Sequence, residues 1–324
     1  MNWTSVVGML GCLAVATPAQ AQSFPSKAIT LVVTAAPGGV SDVIARAVGQ
    51  RLTQAWGQQV VIDNRGGAAH VLGAHTVAKA APDGHTLLVA EAGTFVINPT
   101  LYPKGKLPYD TERDFTPITG LIRINQALVA RTSLPASNVL DLIKLAKQKP
   151  NELTYGTAGV GSGPQMNIVK FENMAGVAMR PIHYRGAAPA LNDVMAGHID
   201  LMSISVSLVA QPHRESKLKI LGVGAKKRVS LLPDLPTVAE SGLPDYEAAT
   251  WFGLVGPKAM PSELVTKINT EVLRILGDPA FQAKFMAPQR FESMASAPEE
   301  FDRYIKSETQ RWGKVIREQK LVIQ

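Results

Sequence analysis

The stretch "AITLVVTAA" (28–36) is an unbroken apolar run rich in β-branched residues, the pattern of a strand buried on both faces of a parallel sheet. In the following "SDVIARAVGQRLTQAWG", Val43, Ala47, Val48 and Leu52 recur at helical spacing and Gly57 closes the segment. "QVVIDNR" predicts the next strand, "AHVLGAHTVAKAA" the next helix and "HTLLVAEAG" a third strand. The chain therefore opens βαβαβ, with right-handed crossovers expected.

A second run of the same kind begins at "NVLDLIKLAKQKP", a helix. Strand "LTYGTAG", helix "QMNIVKFENMAG", strand "MRPIHYRG", helix "APALNDVMAGH" and strands "IDLMSIS" and "LKILGVGA" follow. "IRINQALVAR" (122–131) and "EAATWFGLVGP" (247–257) both read as extended linkers, so the chain crosses to a second lobe and returns. The long helices "SELVTKINTEVLRIL" and "PEEFDRYIKSETQRWGKVIREQ" then pack on the first lobe. Pro298 suits the first turn of the latter, and Glu299 and Glu300 favour its dipole. The expected fold is α/β and two-lobed, each lobe a mostly parallel sheet flanked by helices. Residues 22–122 and 247–324 form one lobe and 123–246 the other.

The first 21 residues change the picture of where the chain works. "MNWTSVVGMLGCLAVATPAQAQ" has an apolar run from Val6 to Ala16 and then Ala19-Gln20-Ala21, an A-x-A site, and reads as a secretory signal cleaved before Gln22. No Lys or Arg precedes Lys27, so the α-amino group supplies the positive charge. The alternatives are a buried N-terminal helix, the run being too short to span a membrane, and lipidation at Cys12 in "MLGC". Cys12 is the single cysteine, so an exported chain has neither disulfides nor thiolate metal sites. The net charge of +7 comes from singly scattered Lys and Arg, with no basic run beyond "KKR" at 226–228. This fits a protein that meets anionic solutes better than one that binds nucleic acid.

Two glycine loops carry the candidate chemistry. Loop one, Ala36-Pro37-Gly38-Gly39-Val40-Ser41-Asp42, lies between a strand end and a helix start, where open α/β sheets bind ligands. Its glycines let amides converge on an anion, Ser41 is placed to cap the helix, and Asp42 is expected to orient the loop. Loop two, Gly156 to Pro164, has the same placement, with Pro164 suited to a first helical position and Ser162 and Gly163 before it. Neither loop matches a nucleotide fingerprint, and loop one has no lysine for a phosphoryl group.

No G-x-S-x-G, no H-E-x-x-H and no cysteine nucleophile appear in the exported part, so neither catalysis nor a metal or cofactor is indicated. His70 and His75 fall on different helix faces, and His85 reads as a turn residue. His183 and Tyr184 close a strand beside "RGAAPA", either lining a ligand or packing. Glu91, at the end of the third strand, either accepts a hydrogen bond from a ligand hydroxyl or ammonium or pairs with a nearby Arg or His.

The phrases "APGGVSDVIAR", "INPTLYPKGKLPYD", "DFTPITGL", "GAAPALNDVMAGHIDLM" and "LPDLPTVAESGLPDYEAATWFGLVGP" together resemble the Bug (TctC-like) receptors of tripartite tricarboxylate transporters, over essentially the whole mature length. The resemblance implies a two-lobed periplasmic binding protein that closes on a small organic carboxylate, and a monomer is the default expectation for a receptor that docks on a permease. It would deliver that solute to the transporter's membrane subunits or report it to a sensor kinase. A carboxylate-metabolising enzyme is the distant alternative. Carried over by residue, the ligand contacts implied are Ala36, Pro37, Gly38, Gly39, Ser41 and Asp42, with Thr157, Ala158, Gly159 and Ser162. The chain departs from the family at Ala35, where an aromatic is common, at Gly163-Pro164-Gln165, and at Ser203-Ile204-Ser205, where a second acid is usual. A roomier cleft lined by Phe95, Tyr184, Ser203 and Trp251 is expected, suited to a longer or aromatic carboxylate.

Overall fold

In the computed structural model the described residues are 24–318, apart from 36, 67–69, 160, 185 and 230. The expected signal (1–21) and Ala36 of loop one lie outside them. The first five elements fall where the hydrophobic pattern places them: β1 (Ile29–Val33), α1 (Val40–Trp56), β2 (Val60–Asn64), α2 (Val71–Ala78) and β3 (Thr86–Glu91). The unbroken apolar run of β1 is explained by its two covered faces. Leu31 and Val33 point to a core under α1, while Val32 points to the opposite core with Leu88 and Trp251. Burying each such aliphatic side chain contributes roughly 1.5–3 kcal/mol.

A π-helical turn, Gly93–Ile97, leads into a short helix, Asn98–Leu101, and then to β4 (Phe115–Ala130). The second unit comprises α3 (Val139–Gln148), β5 (Thr154–Thr157), α4 (Gly163–Ala175), β6 (Arg180–His183), α5 (Ala187–Ala196), β7 (Leu201–Ser205), α6 (Val206–Arg214) and β8 (Lys219–Val223). The chain returns along β9 (Ala249–Pro257) into α7 (Ser262–Gly277), a two-residue strand β10 (Glu292–Ser293) and α8 (Pro298–Glu318). Sequence spacing misses α6, which is short and carries Pro212 inside it.

The strands form one ten-stranded sheet with the path β2-β1-β3-β9-β4-β7-β5-β6, while β8 and β10 also pair with β4. Within each half three strands are parallel; of the crossing strands, β9 is antiparallel to β3 of the first half and β4 is antiparallel to β7 of the second and to β9. Strand β4 starts earlier than the extended linker expected at 122–131, because its first part, from Phe115, pairs with β9. From Gln126 onward it pairs with β7 and β8 instead, so residues 123–125 sit where the sheet passes from one half to the other. Following the pairings, β1 and β3 run opposite to β5 and β7. Their carboxyl ends, which carry loops one and two, are thus directed toward each other about that crossing.

Candidate functional site

Loop one leaves β1 through Thr34, Ala35 and Pro37, and Gly38 adopts φ +83, a left-handed conformation that favours glycine. The N-cap of α1 is Gly39, with no side-chain cap bond, so the capping expected of Ser41 does not occur. Ser41 is the second residue of the helix, within its first turn, and is buried. Asp42 does the tying instead. Its carboxylate accepts the Gly38 N–H at 3.0 Å and the Arg46 Nε–H at 2.9 Å. The bond from Arg46, against the cost of burial and helped by Gly38, holds the Asp42 carboxyl below the usual carboxylate range. Asn64 at the end of β2 donates to the Ala35 carbonyl at 3.1 Å and accepts from Arg46 at 3.3 Å, which fixes the loop from its other side.

Loop two is tied in a similar way. The Gly161 N–H donates to Gln165 Oε1 at 2.7 Å, and the Gly159 N–H donates to the Thr157 hydroxyl at 3.2 Å. The Thr157 hydroxyl also bonds His183 Nδ1 at 2.8 Å, so both side chains brace the loop. Thr157 is fully buried, whereas Ala158 and Gly159 are half-buried. Ser162 is the N-cap of α4 and Pro164 stands in its first turn; the Ser162 hydroxyl oxygen is buried and has no partner among the described residues. Tyr184 turns its hydroxyl to Asp193 at 2.5 Å.

Two expected cleft residues, Phe95 and Ser203, are corrected by the structure, while Trp251, also buried, keeps an edge on a small cavity beside Glu91. Phe95 and Trp251 stack on each other at 5.9 Å with planes 6° apart and are buried in the core with Phe301. The π-turn after β3 rolls Phe95 inward, away from a wall position. Ser203 is also buried, accepting a bond from Asn167 Nδ2 at 3.2 Å, because strand alternation points it into the sheet's packed face.

Glu91 resolves toward the pairing alternative, and its partner is His70, a residue that spacing did not bring forward. His70 sits ahead of α2 at φ +73, unusual for a residue with a side chain. Its Nδ1–H donates to the Thr34 carbonyl at 2.7 Å, and its Nε2 lies 3.0 Å from Glu91 Oε1. Burial disfavours its charge, but the Glu91 carboxylate and the Thr34 carbonyl prevail and raise its pKa to about 9. Glu91 is lowered, because its attraction to His70 exceeds the opposing effect of burial. The pair spans the ends of β1 and β3, directly below loop one. Loop two reaches it from the other half. A Cβ placed on Gly93 would lie 3.2 Å from Glu91 Oε1 and 3.9 Å from the Gly161 carbonyl oxygen.

The arrangement is one of amides and hydroxyls at two helix starts, suited to an anion. Among the described residues no group of three or more His, Cys, Asp or Glu is set to hold a metal, and no helix is long and apolar enough to cross a membrane.

The profile of the family described as "Tripartite tricarboxylate transporter family receptor" (TctC) matches residues 44–321. The chain is 35% identical over 300 residues, 92% of its length and 88% of the other's, to a Pseudomonas sp. (strain P51) protein described as "UPF0065 protein in tcbD-tcbE intergenic region". Rpa4515 of R. palustris, solved with adipate, superposes with a TM-score of 0.80 at 35% identity over 91% of this chain and 97% of that one. MatC (Rpa3494) of Rhodopseudomonas palustris, solved with bound malate, gives 0.78 at 30% identity over 90% and 100%. The chain belongs to the TctC family of solute-binding receptors.

Proposed function

We propose that this TctC-family protein is a periplasmic receptor that captures a small organic carboxylate between its two glycine loops and passes it to the membrane subunits of a tripartite tricarboxylate transporter. In this reading residues 1–21 are the export signal, and the lobes are 22–122 with 247–324, and 123–246. The observation that carries it is the pair of braced loops, Pro37–Asp42 and Thr157–Ser162, at strand ends directed toward each other. Helix-start amides there, beyond those of Gly38, Gly159 and Gly161 that bond within the loops, suit a carboxylate, and among the described residues no group of three or more His, Cys, Asp or Glu is set to hold a metal. Acids bound by relatives, adipate in one and malate in another, support the same ligand class.

The test is a thermal-shift screen of the chain from Gln22 onward against aliphatic dicarboxylates, aromatic carboxylates, amino acids and phosphate esters, followed by calorimetry. A solute at a hundred times its Kd adds about 2.7 kcal/mol of stability. A shift with carboxylates alone is expected. A shift with phosphate esters alone overturns the reading.

A further inference from the structure

Resting on that reading, we propose that the His70–Glu91 pair and Gly93 form a subsite for a hydrogen-bond-donating substituent, a hydroxyl or an ammonium, on the chain of the bound acid.

His70 faces two oxygen acceptors, the Thr34 carbonyl at 2.7 Å and Glu91 Oε1 at 3.0 Å, so its ring is doubly protonated and both N–H groups are used. A histidine beside an anion site would ordinarily be taken as an anchor for the anion itself. This one has no donor left. Its positive charge balances Glu91, and among the described residues no other charged group contributes to holding Glu91 ionised. The pair is therefore neutral as a unit and does not repel a carboxylate held on the nearby amides. The capacity that remains is acceptor capacity, from the Glu91 carboxylate and the Gly161 carbonyl.

Those two acceptors converge. The point a Cβ on Gly93 would occupy lies 3.2 Å from Glu91 Oε1 and 3.9 Å from Gly161 O, with Glu91 from one half of the molecule and Gly161 from the other. A donor seated beyond Gly93, between these two oxygens, would face an acceptor from each half, which ties recognition of the substituent to closure of the halves. A second carboxylate or a methyl placed there meets only acceptors and loses its hydration without compensation. Beside it, a cavity of about 10 Å³ is bordered by Glu91, Gly93, Gly163, Asn167, Thr250 and Trp251. That volume holds about one water-sized group. The Trp251 indole N–H is buried and has no partner among the described residues, so a hydroxyl, which both donates and accepts, is served on both counts. The feature also accounts for two local oddities: a histidine held at positive φ, and an ionised carboxylate directly after the apolar run Leu87–Ala90 of β3.

The experiment is calorimetric titration of the wild type, Glu91→Gln and Gly93→Ala with two acid series. One series is succinate, malate and aspartate; the other is adipate, 2-hydroxyadipate and 2-aminoadipate. Gly93→Ala fills the subsite from a different residue and leaves the ion pair's groups in place, and circular dichroism checks the fold of both variants. In whichever series binds, the hydroxy or amino acid should bind the wild type at least tenfold more tightly than its unsubstituted parent. Each variant should cut that preference at least fivefold. A hydroxyl-only preference assigns the Trp251 side of the subsite, and an ammonium preference assigns the Glu91–Gly161 pair. Wild-type affinities within twofold across a series, or a preference that survives in both variants, overturns the subsite while the receptor reading stands. If no acid of either series binds and phosphate esters do, the receptor reading itself fails, and the subsite with it.

Discussion

The Asp42 carboxylate accepts the backbone N–H of Gly38 at 3.0 Å, so the first turn of α1 reaches back to hold the glycine that precedes it. Arg46, one turn further on, grips the same carboxylate at 2.9 Å. Loop one is thus set in shape by its own helix before any solute arrives.

Asp42→Ala is expected to lower the unfolding free energy by about 1.5–3 kcal/mol, the range for hydrogen bonds to a charged group. It should also weaken carboxylate binding, because loop one loses the bond that sets its shape. Asp42 is held below its ordinary 3.8, so its contribution is present above that pH and is lost as the pH falls through the depressed value. Urea titrations of wild type and variant at pH 7 and pH 3 check this: the gap between them should narrow at pH 3.

Gly38→Ala tests the loop's backbone separately. The site is open, with nothing within 4 Å of an added Cβ, so the only cost is the left-handed φ of +83. A stability loss of about 1 kcal/mol is expected, together with weakened solute binding. Unchanged affinity would place the anion away from loop one.

His70 and Glu91 should show a coupling energy of about 1–3 kcal/mol in a double-mutant cycle with His70→Asn and Glu91→Gln at pH 7. His70 is raised from 6.5 to about 9, so its contribution is complete below 6.5 and disappears as the pH rises through 9. Glu91 is lowered, so on the acid side the pair fails only as the pH drops through that depressed value. Repeating the cycle at pH 10 should bring the coupling close to zero.

Glu172 behaves in the opposite sense. Burial raises it from 4.5 to about 7, even though its carboxylate accepts the Met179 N–H at 2.5 Å. The folded state then binds more protons than the unfolded one between those values, and stability falls as the pH rises from about 4.5 to 7. Glu172→Gln keeps an acceptor for Met179 and removes the charge. It should stabilise the protein by about 1–3 kcal/mol at pH 8 and have little effect at pH 4, as read from denaturant midpoints.

Gly253 marks where α8 lies against β9. A Cβ there would meet the Phe301 ring at 2.9 Å or less, so Gly253→Ala must push the helix or turn the ring. A loss of about 1–3 kcal/mol is expected from such overpacking, measured by chemical denaturation.

Much of this was legible in the chain. Unbroken runs such as 28–36 fix strands with two covered faces, and the spacing of Val43, Ala47, Val48 and Leu52 fixes the face of α1. The phrase order identified the family, and Gly38 and Gly159 announce loops because local backbone sterics need no distant partner.

What only the tertiary structure decided are contacts between segments that the sheet brings together. Phe95 and Trp251 read as cleft walls, yet pairing of β3 with β9 places them face to face in the core. Glu91 could be read either way until the adjacency of β1 and β3 set His70, anchored on Thr34, against it. The physical reason is range. Hydrophobic period and glycine position act over a few residues and are written in order along the chain. Ion pairs, stacking and a subsite shared by Glu91 and Gly161 depend on strand order and on which halves meet, and no local spacing encodes that.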